Sequence, residues 1–344
     1  MIAAVLRALL GPAPLSASDA RGAFDRLVAS DGSDAERSAV LTALASRRVT
    51  VEELALFAGE MRRHATPFPV PRGDAPIDLC GSGGAPRPTY NVSTVSAFVV
   101  AAAGVPVVKH GNRSARGPCG SSDLLGSLGL PVTTSRPFSR ASYRAHRLAF
   151  LHAPLYHPAT AAVASVRRML GIPTVFNRLG PLSNPARVAF QVVGAPGRAD
   201  AETFARTLAR LGVRRGLSMT SEEGCDEFSP TRPTTMILWT GSRVERRTVH
   251  PERLLEADER QGSWGPLPPE EAAGEAERIL AGGGGARRGS ILLTSGAALW
   301  ISGRAHGLTE GVRRAREALD DGGAEALLEA MQKLALRYRA EGDA

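Results

Sequence analysis

The chain has 344 residues, and its hydrophobic content of 43% is ordinary for a globular protein with one large and one small domain. It contains no long apolar stretch and no leader with a cleavage pattern, so we expect neither a membrane span nor export. The net charge of +8 raises the question of nucleic-acid binding, but the 42 basic residues are scattered and no aromatic ladder accompanies them. The three cysteines form no C-x-x-C pair, which favours a reduced, cytoplasmic setting.

Residues 1–68 carry apolar positions at helical spacing, which predicts a small helical domain. Ser18, Ser33 and Thr50 are the expected N-cap residues, because their hydroxyls can accept a hydrogen bond from the first turn of a helix. Thr50 is followed three positions later by a glutamate, the pattern of a capping box. The proline-rich stretch 67–76 is then a linker into the rest of the chain.

Over residues 77–344 the pattern changes to short apolar runs followed by glycines and helices, which predicts an α/β domain with a mainly parallel central sheet. The runs expected to form strands are residues 77–80, 105–110, 173–177, 190–195 and 217–219. A helical segment near 159–185 interrupts the alternation and is expected to join the small domain. The glycine-rich run 281–289 is expected to be a mobile surface loop between two helices, and the alternative is a phosphate-binding loop. Ligands of such a sheet bind at the carboxyl ends of its strands.

The first candidate site segment begins in the first predicted strand. It reads DLCGSGG over residues 78–84 and is followed by NVST over residues 91–94, which opens a helix. Glycines allow backbone N–H groups to approach an anion, and a helix N-terminus adds a positive dipole and hydroxyl donors. Together these segments predict a phosphate-binding loop, whereas the glycines alone are equally typical of a simple turn.

The second segment, VVKHGNRS over residues 107–114, places a lysine, a histidine, an asparagine and an arginine at the end of a buried strand. Lys109 is one of two lysines among the 42 basic residues of the chain. Its presence indicates a position where a compact ammonium serves better than the planar guanidinium of arginine. The alternative is a solvated loop.

The third segment is an acidic doublet, Asp226 and Glu227, in a loop after the predicted strand 217–219. Mg²⁺ prefers one or two carboxylates together with water and substrate phosphate oxygens. Beside a phosphate-binding loop, the doublet therefore predicts a magnesium-bridged pyrophosphate. Taken alone, the same doublet is more typical of a solvated acidic turn.

A fourth segment combines His157-Pro with the helical stretch SVRRML over 165–170 and the run FNRLGPLSNP over 176–185. Arg167 or Arg168 could bind a substrate carboxylate through a two-pronged, charge-assisted contact. The Gly-Pro turn could form a wall against a flat ring. A basic helix face exposed to water explains the arginines equally well.

Taken in order, these segments resemble the anthranilate phosphoribosyltransferase family. The matching motifs stand in this chain as DLCGSGG, NVST, KHGNRS, HP followed by VRR, FNRLGPLSNP and DEFS. They extend through almost the whole chain, and six ordered motifs are far more specific than any one of them. The resemblance implies a small N-terminal helical domain on a larger α/β domain, and a homodimer that forms through the helical part.

The activity that the resemblance implies is transfer of ribose 5-phosphate from phosphoribosyl pyrophosphate to the amine of anthranilate, with release of pyrophosphate, in tryptophan biosynthesis. An aromatic amine is already nucleophilic, whereas the bond from the ribose C1 atom to pyrophosphate must break. The main requirement is therefore to stabilise charge on the leaving group, which Mg²⁺ and Lys109 would do. Lys109, Asp226 and Glu227 are accordingly the expected catalytic residues.

The resemblance also implies which residues bind each part of the reactants. The residues expected to hold the ribose 5-phosphate and pyrophosphate are Gly81, Gly84, Thr89, Asn91, Ser93, Thr94 and Lys109. The expected Mg²⁺ ligands are Ser93, Asp226 and Glu227. The residues expected around the aromatic acceptor, whose carboxylate Arg167 would take, are His110, Asn112, Gly180 and Pro181. The expected substrate-binding set is completed by Gly111, Arg113 and Ser114.

Several positions depart from the family pattern. Ala85 stands where the glycine loop normally continues with a carboxylate. The segment Arg116-Gly117-Pro118-Cys119 replaces the usual serines and lysine, and Arg178 and His152 replace apolar or aromatic side chains. These departures favour an alternative in which a related phosphoribosyltransferase of specialised metabolism uses a different aromatic acceptor.

Two further alternatives come from other functional classes. A pyrimidine nucleoside phosphorylase would share the fold, but its lysine-serine-threonine-glycine signature is absent where Lys109-His-Gly-Asn stands. A non-catalytic nucleic-acid-binding relative would use the positive charge of the chain, but such a protein gains no obvious benefit from the Asp226–Glu227 pair.

Overall fold

The computed structural model describes residues 2–114 and 117–339. The chain begins with the helices α1 (Ile2–Leu10), α2 (Ala17–Val28), α3 (Asp34–Ser46) and α4 (Val51–Arg63). Ser33 and Thr50 are N-caps and Thr50 has a capping box, as predicted, and Ser33 has a capping box as well. The prediction for Ser18 is wrong, because Ser16 is the N-cap of α2. The Ser16 hydroxyl accepts a hydrogen bond from Asp19 N at 3.1 Å, and the Asp19 carboxylate accepts one from Ser16 N at 2.9 Å.

A seven-stranded sheet forms the centre of the rest of the chain. Its strands are β1 (Ile77–Cys80), β2 (Val107–Gly111), β3 (Leu148–His152), β4 (Phe190–Gly194), β5 (Arg215–Ser221), β6 (Thr234–Thr240) and β7 (Arg243–Val249). Their order in the sheet is β3-β2-β1-β4-β5-β6-β7. The strands from β3 to β5 pair in parallel, whereas β6 and β7 continue the sheet in antiparallel pairing. The predicted mainly parallel sheet is confirmed.

Further helices surround the sheet. They are α5 (Val92–Ala102), α6 (Ser121–Ser127), α7 (Arg136–His146), α8 (Ala153–Tyr156), α9 (Ala164–Leu170), α10 (Phe176–Leu179), α11 (Arg198–Arg210), α12 (Pro269–Leu280), α13 (Ala286–Ile301), α14 (Leu308–Asp320) and α15 (Gly323–Arg339). Short 3₁₀ helices span Pro158–Val163, Gly180–Leu182, Pro251–Arg253 and Asp258–Arg260. Within residues 2–114 and 117–339, none of the helices has the length and apolar character that crossing a membrane requires.

The strand predicted at residues 173–177 is wrong. Thr174 N donates a hydrogen bond to Asn177 Oδ1 at 2.9 Å, and α10 begins at Phe176. The apolar side chains of this run are buried because Val175 and Phe176 pack in a core with the N-terminal helices. Periodicity alone does not distinguish such a short buried helix from a strand.

The mobile loop predicted at residues 281–289 is wrong for its second half. Helix α13 begins at Ala286, so the connection from α12 ends at Gly285. Gly289 lies inside α13, where an added Cβ atom would overlap the Glu259 carbonyl oxygen. This part of the run is therefore closely packed helix.

The two faces of the sheet carry separate hydrophobic cores. On one face, Leu79 and Leu217 share a core with α5 and α13. On the other face, Cys80 and Trp239 share a core with α2, α3, α4 and α11. The α9 and α10 helices join this second core through residues such as Val166. One hydrophobic core therefore connects the N-terminal helices, the 159–185 segment and the sheet.

The two edges of the sheet differ in exposure. Every residue of β3 is buried, and Ser139 and Ser142 of α7 donate to the carbonyl oxygens of Phe150 and Leu148 at 2.8 and 2.7 Å. At the other edge, β7 is largely exposed and carries three arginines. One edge is thus covered by a helix, and the other meets solvent as a charged strand.

Candidate active site

All residues that the sequence predicted to bind substrate or metal line one cavity of about 430 Å³. They are Gly81, Gly84, Thr89, Asn91, Ser93, Thr94, Lys109, His110, Gly111, Asn112, Arg113, Ser114, Arg167, Gly180, Pro181, Asp226 and Glu227. The cavity lies at the carboxyl ends of β1 and β2 and reaches α9 and the 180–181 turn. Residues as far apart as Ser82 and Asp226, 144 positions along the chain, meet there.

The acidic doublet lies directly against the glycine loop. Asp226 Oδ2 accepts hydrogen bonds from Ser82 N at 2.6 Å and from Ser82 Oγ at 2.8 Å. A Cβ atom added to Gly81 would lie 3.0 Å from the same carboxylate oxygen, so a larger residue at this position would crowd it. The loop that the sequence predicts to bind phosphate therefore also orients the Asp226 carboxylate.

Lys109 is 3% exposed and connects β1 with the start of α5. Its Nζ atom donates to Leu79 O at 2.6 Å and to Ser93 Oγ at 3.1 Å. These two contacts hold a buried positive charge in one place, which is the arrangement that burial of an ammonium requires. These are its hydrogen-bond partners among the described residues, so one of the three N–H donors of the ammonium remains for an anion in the cavity.

Glu227 is 4% exposed, and among the described residues its Oε2 atom has no hydrogen-bond partner. Burial raises the pKa of its carboxyl group, the charge of Asp226 adds to the rise, and Lys109 opposes it. A buried carboxylate pair is stable only when positive charge neutralises it. Asp226, Glu227 and the Ser93 hydroxyl supply hard oxygen atoms, so this set of side chains fits Mg²⁺.

Another part of the cavity is formed by α9, α10 and the turn at Gly180-Pro181. The Arg167 guanidinium stacks over the Phe176 ring, with its central carbon 5.4 Å from the ring centroid. Burial lowers the pKa of Arg167, whereas Arg168 is exposed and does not line the cavity. In the part of the chain that the structure describes, no carboxylate pairs with Arg167, so its charge is available to an anionic ligand.

Two buried histidines line the same part of the cavity, with the ring centroids of His110 and His157 4.9 Å apart. Burial lowers the pKa of both rings, that of His157 to about 4. The backbone of Ser183 and Met61 lies near His157, but no hydrogen bond of normal geometry reaches its ring nitrogens from the described residues. Burial therefore favours the neutral form of both rings.

The pKa of His157 predicts a pH-dependent contribution to stability. In the unfolded chain its pKa returns to about 6.5, so between pH 6.5 and pH 4 the unfolded state binds a proton that the folded state does not. On acidification from pH 7 to pH 5, the wild type should lose about 2 kcal/mol more free energy of unfolding than His157→Asn. Urea unfolding of both proteins at each pH measures this difference, and equal losses would contradict the assigned pKa.

Sequence reasoning missed several residues that line the cavity. Ser82 is the clearest, and its signal was a hydroxyl inside the glycine loop. Gly120 also lines the cavity, and the reason for glycine there is visible only in the structure, where an added Cβ atom would overlap Ser114 N. Met61 comes from α4, where no local pattern separates it from other core positions. Further lining residues outside the predicted binding set include Ala153, Pro154 and Thr160, and also His157, Phe176 and Asn177 of the fourth segment.

Two of the departures from the family pattern lie outside the cavity lining. The Arg178 guanidinium forms an ion pair with Asp200 at 3.1 Å. His152 Nδ1 lies 2.8 Å from Ser122 Oγ in a buried hydrogen bond. Neither Arg178 nor His152 lines the cavity, so neither contributes to its shape directly.

Three other departures, Ala85, Gly117 and Cys119, do line the cavity. Ala85 presents a methyl group, and Cys119 contributes a backbone carbonyl that accepts a hydrogen bond from Asn91 Nδ2 at 3.2 Å. Pro118 is exposed. Arg116 lies outside the described residues.

Comparison with known proteins agrees with this geometry. Residues 3–65 match the family described as "Glycosyl transferase family, helical bundle domain", and residues 73–325 match "Glycosyl transferase family, a/b domain". The anthranilate phosphoribosyltransferase of Solibacter usitatus is 39% identical over 330 residues, which are 93% of this chain and 95% of that protein.

Solved structures give the same result. The anthranilate phosphoribosyltransferase from Thermus thermophilus matches with a TM-score of 0.86 and 34% identity, over 96% of this chain and 99% of that one. The enzyme from Saccharomyces cerevisiae in complex with phosphoribosyl pyrophosphate and Mg matches with a TM-score of 0.85 and 25% identity over 98% of both chains. The chain belongs to the anthranilate phosphoribosyltransferase family.

Proposed function

We propose that this protein transfers the ribose 5-phosphate of phosphoribosyl pyrophosphate to the amine of anthranilate and releases pyrophosphate. The observation that carries the proposal is that the glycine loop, Lys109 and the acidic doublet surround one cavity that also contains Arg167. The relatives described above are named for this activity, and one of them was solved with phosphoribosyl pyrophosphate and Mg.

The donor would lie along the glycine loop and the start of α5. Backbone N–H groups of such a loop and of a helix N-terminus favour anions. Lys109 would direct its third N–H at a pyrophosphate oxygen, because the other two already have partners. The residues proposed to bind the donor are Gly81, Gly84, Thr89, Asn91, Ser93, Thr94 and Lys109.

Mg²⁺ is the proposed cofactor, and Asp226, Glu227 and the Ser93 hydroxyl would hold it. The unpartnered Oε2 atom of Glu227 supports this assignment, because a buried carboxylate oxygen requires a partner. When bound, the ion would neutralise part of the charge on the pyrophosphate leaving group. Ser82 would keep the Asp226 carboxylate in its orientation, and Lys109 would add a second positive charge from β2.

The acceptor would bind between Arg167 and the turn at Gly180-Pro181. Arg167 would take the anthranilate carboxylate, and Asn112 and His110 would position the ring. Closure of the helical part, residues 1–68 with 159–185, over the remainder of the α/β domain would align the amine with the ribose C1 atom. It would also exclude water that could hydrolyse the donor.

The direct test is to incubate the purified protein with phosphoribosyl pyrophosphate, Mg²⁺ and anthranilate, and to follow the fluorescence of anthranilate. We expect fluorescence to fall only when donor and Mg²⁺ are both present, and to stop falling when a chelator is added. Loss of another aryl amine without loss of anthranilate would reject anthranilate as the acceptor. Turnover of no aryl amine would reject the reaction.

Replacement of Arg167 tests the acceptor contact separately. Arg167→Met should raise the KM for anthranilate by about 100-fold, because a charge-assisted, two-pronged contact is lost. The KM for phosphoribosyl pyrophosphate should change little. Arg168→Met is the matched control, since this neighbour is exposed. Equal effects of both substitutions on the KM for anthranilate would contradict the role of Arg167.

The residues that favoured a different aromatic acceptor do not support that alternative. Arg178 is paired with Asp200 and His152 with Ser122, both outside the cavity lining. Anthranilate therefore remains the proposed acceptor.

We also propose a homodimer that forms through the helical part, where Leu10 is 68% and Met169 is 67% exposed. Large exposed apolar side chains are typical of interaction surfaces when they form one patch. Light scattering should then give twice the chain mass of 36.1 kDa. A mass of one chain would contradict the dimer.

A further inference from the structure

The wall on which the acceptor would lie is a short stretch of backbone rather than a set of side chains. We call residues 179–184 the acceptor wall, since Gly180 and Pro181 line the cavity within it. The stretch runs from the end of α10 through a 3₁₀ turn to the linker before β4. Because its peptide groups are buried, their carbonyl oxygens require hydrogen-bond donors.

Gln191 supplies one of these donors from the sheet. It is the second residue of β4, pairs in register with Asp78 of β1, and is 0% exposed. Its Nε2 atom donates to Pro181 O at 2.6 Å and also lies 3.4 Å from the sulfur of Cys80. Cys80 directly precedes the glycine loop, so one amide group contacts both the acceptor wall and the strand that carries the donor loop.

Packing alone does not explain why a glutamine, rather than an apolar residue, occupies position 191. Among the described residues, the Oε1 atom of Gln191 has no hydrogen-bond partner, and a buried unpaired amide oxygen is unfavourable. An apolar side chain would fill this position on the strand without that penalty, but it could not donate to Pro181 O. What the amide provides, and an apolar residue would not, is a fixed position of the Pro181 carbonyl.

A second donor holds the next carbonyl of the wall from the opposite element. Arg62 of α4 donates from Nε to Leu182 O at 2.8 Å. Consecutive peptide groups, those of Pro181 and Leu182, are thus held by the sheet and by the N-terminal helices. The position of the wall relative to the donor loop therefore depends on Gln191, and its position relative to α4 depends on Arg62.

We propose that Gln191 is a positioning residue that sets the acceptor wall at the distance from the donor loop at which the amine reaches the ribose C1 atom. This inference rests on the proposed function. Gln191 does not line the cavity, so it acts through Pro181 and touches neither substrate. Removal of the Gln191 side-chain amide should affect acceptor binding and alignment much more than donor binding.

Gln191→Met tests this proposal, because methionine has a similar volume and no N–H donor. We expect the KM for anthranilate to rise about tenfold and kcat to fall, while the KM for phosphoribosyl pyrophosphate stays within about twofold. Gln332→Met is the matched control, since Gln332 also donates an amide N–H to a backbone carbonyl, that of Leu128 at 3.1 Å, away from the cavity. It should leave both KM values unchanged.

Other results would overturn the proposal. Equal rises in both KM values, or an unchanged KM for anthranilate in a folded Gln191→Met protein, would show that the amide only stabilises the fold. If this variant does not fold, the wild type labelled with ¹⁵N-glutamine serves instead, because the chain has three glutamines, Gln191, Gln261 and Gln332. Anthranilate should then shift the side-chain amide resonance of Gln191 but not that of Gln332, and an unshifted Gln191 resonance would reject the proposal.

The comparison of KM values for the Gln191 variant can fail without the proposed function failing. Wild-type turnover of anthranilate decides the function before any variant is made. If the wild type uses another aryl amine, the same comparison of KM values is made with that amine. A failure confined to the variants then concerns Gln191 alone.

Discussion

Replacing Asp226 with Asn and Glu227 with Gln in one protein should lower kcat/KM by about 1000-fold or more. The double change keeps the volume of both side chains but removes the negative charge that the proposed Mg²⁺ site needs. Burial and mutual repulsion already raise the pKa of Glu227, so the neutral side chains should not destabilise the fold. Steady-state turnover against Mg²⁺ concentration measures the effect.

Glu222→Gln is the control for this double substitution, because Glu222 lies in the same acidic segment and is exposed. It should retain wild-type turnover and the same Mg²⁺ requirement. Circular dichroism and the melting temperature should confirm that the double variant is folded. Turnover near the wild-type level in that folded protein would contradict the role of the acidic doublet.

Gly194→Ala should reduce turnover by about 100-fold, although residue 194 carries no functional group. A Cβ atom at the end of β4 would overlap the backbone carbonyl oxygen of Asp226 and crowd its Cβ atom. The loop must move away to remove the overlap, and the Asp226 carboxylate then leaves Ser82. Overpacking of this kind also lowers the free energy of unfolding by about 2 kcal/mol. Turnover and urea unfolding measure the two effects.

Gly197→Ala is the matched control for Gly194→Ala. An added Cβ atom at Gly197, three residues further along, has no neighbour within 4 Å, and its backbone is extended with φ at −170°. This variant should keep wild-type turnover and lose much less free energy of unfolding than Gly194→Ala, because only the N-cap preference of α11 changes. A Gly194→Ala protein with unchanged turnover and Mg²⁺ requirement would show that the acidic loop does not depend on this close approach.

The parts of the site that could be predicted are segments whose own sequence pattern indicates their chemistry. A glycine run after a strand, a lysine in a chain with few lysines and an acidic doublet each restrict the chemistry of their own segment. That these segments meet follows from the parallel sheet, since carboxyl ends of parallel strands share one edge. The resemblance to a family added the order of the motifs, and the cavity lining includes every residue chosen in this way.

The parts that could not be predicted depend on tertiary contacts. Gln191 occurs in the ordinary strand sequence FQVVG, and only its contact with Pro181 gives it a role. Met61 reaches the cavity because α4 packs against α10 and α11. The error at Ser18 has a different cause, since Ser16 and Ser18 are both hydroxyl residues near the same helix start. The carboxylate of Asp19 stands three positions after Ser16 and decides between them.

The exposed arginines of β7 bear on how copies of this protein behave at high concentration. An open strand at a sheet margin offers unpaired peptide groups to any other strand, and this is a common origin of fibrils. Like charges on Arg243 and Arg246 disfavour pairing with the same strand of a second molecule, whereas Arg247 is paired with Glu245 of β7 itself. At the other margin, β3 is protected by the helix that covers it. The charged side chains of β7 and the helix that covers β3 therefore both disfavour strand pairing between molecules.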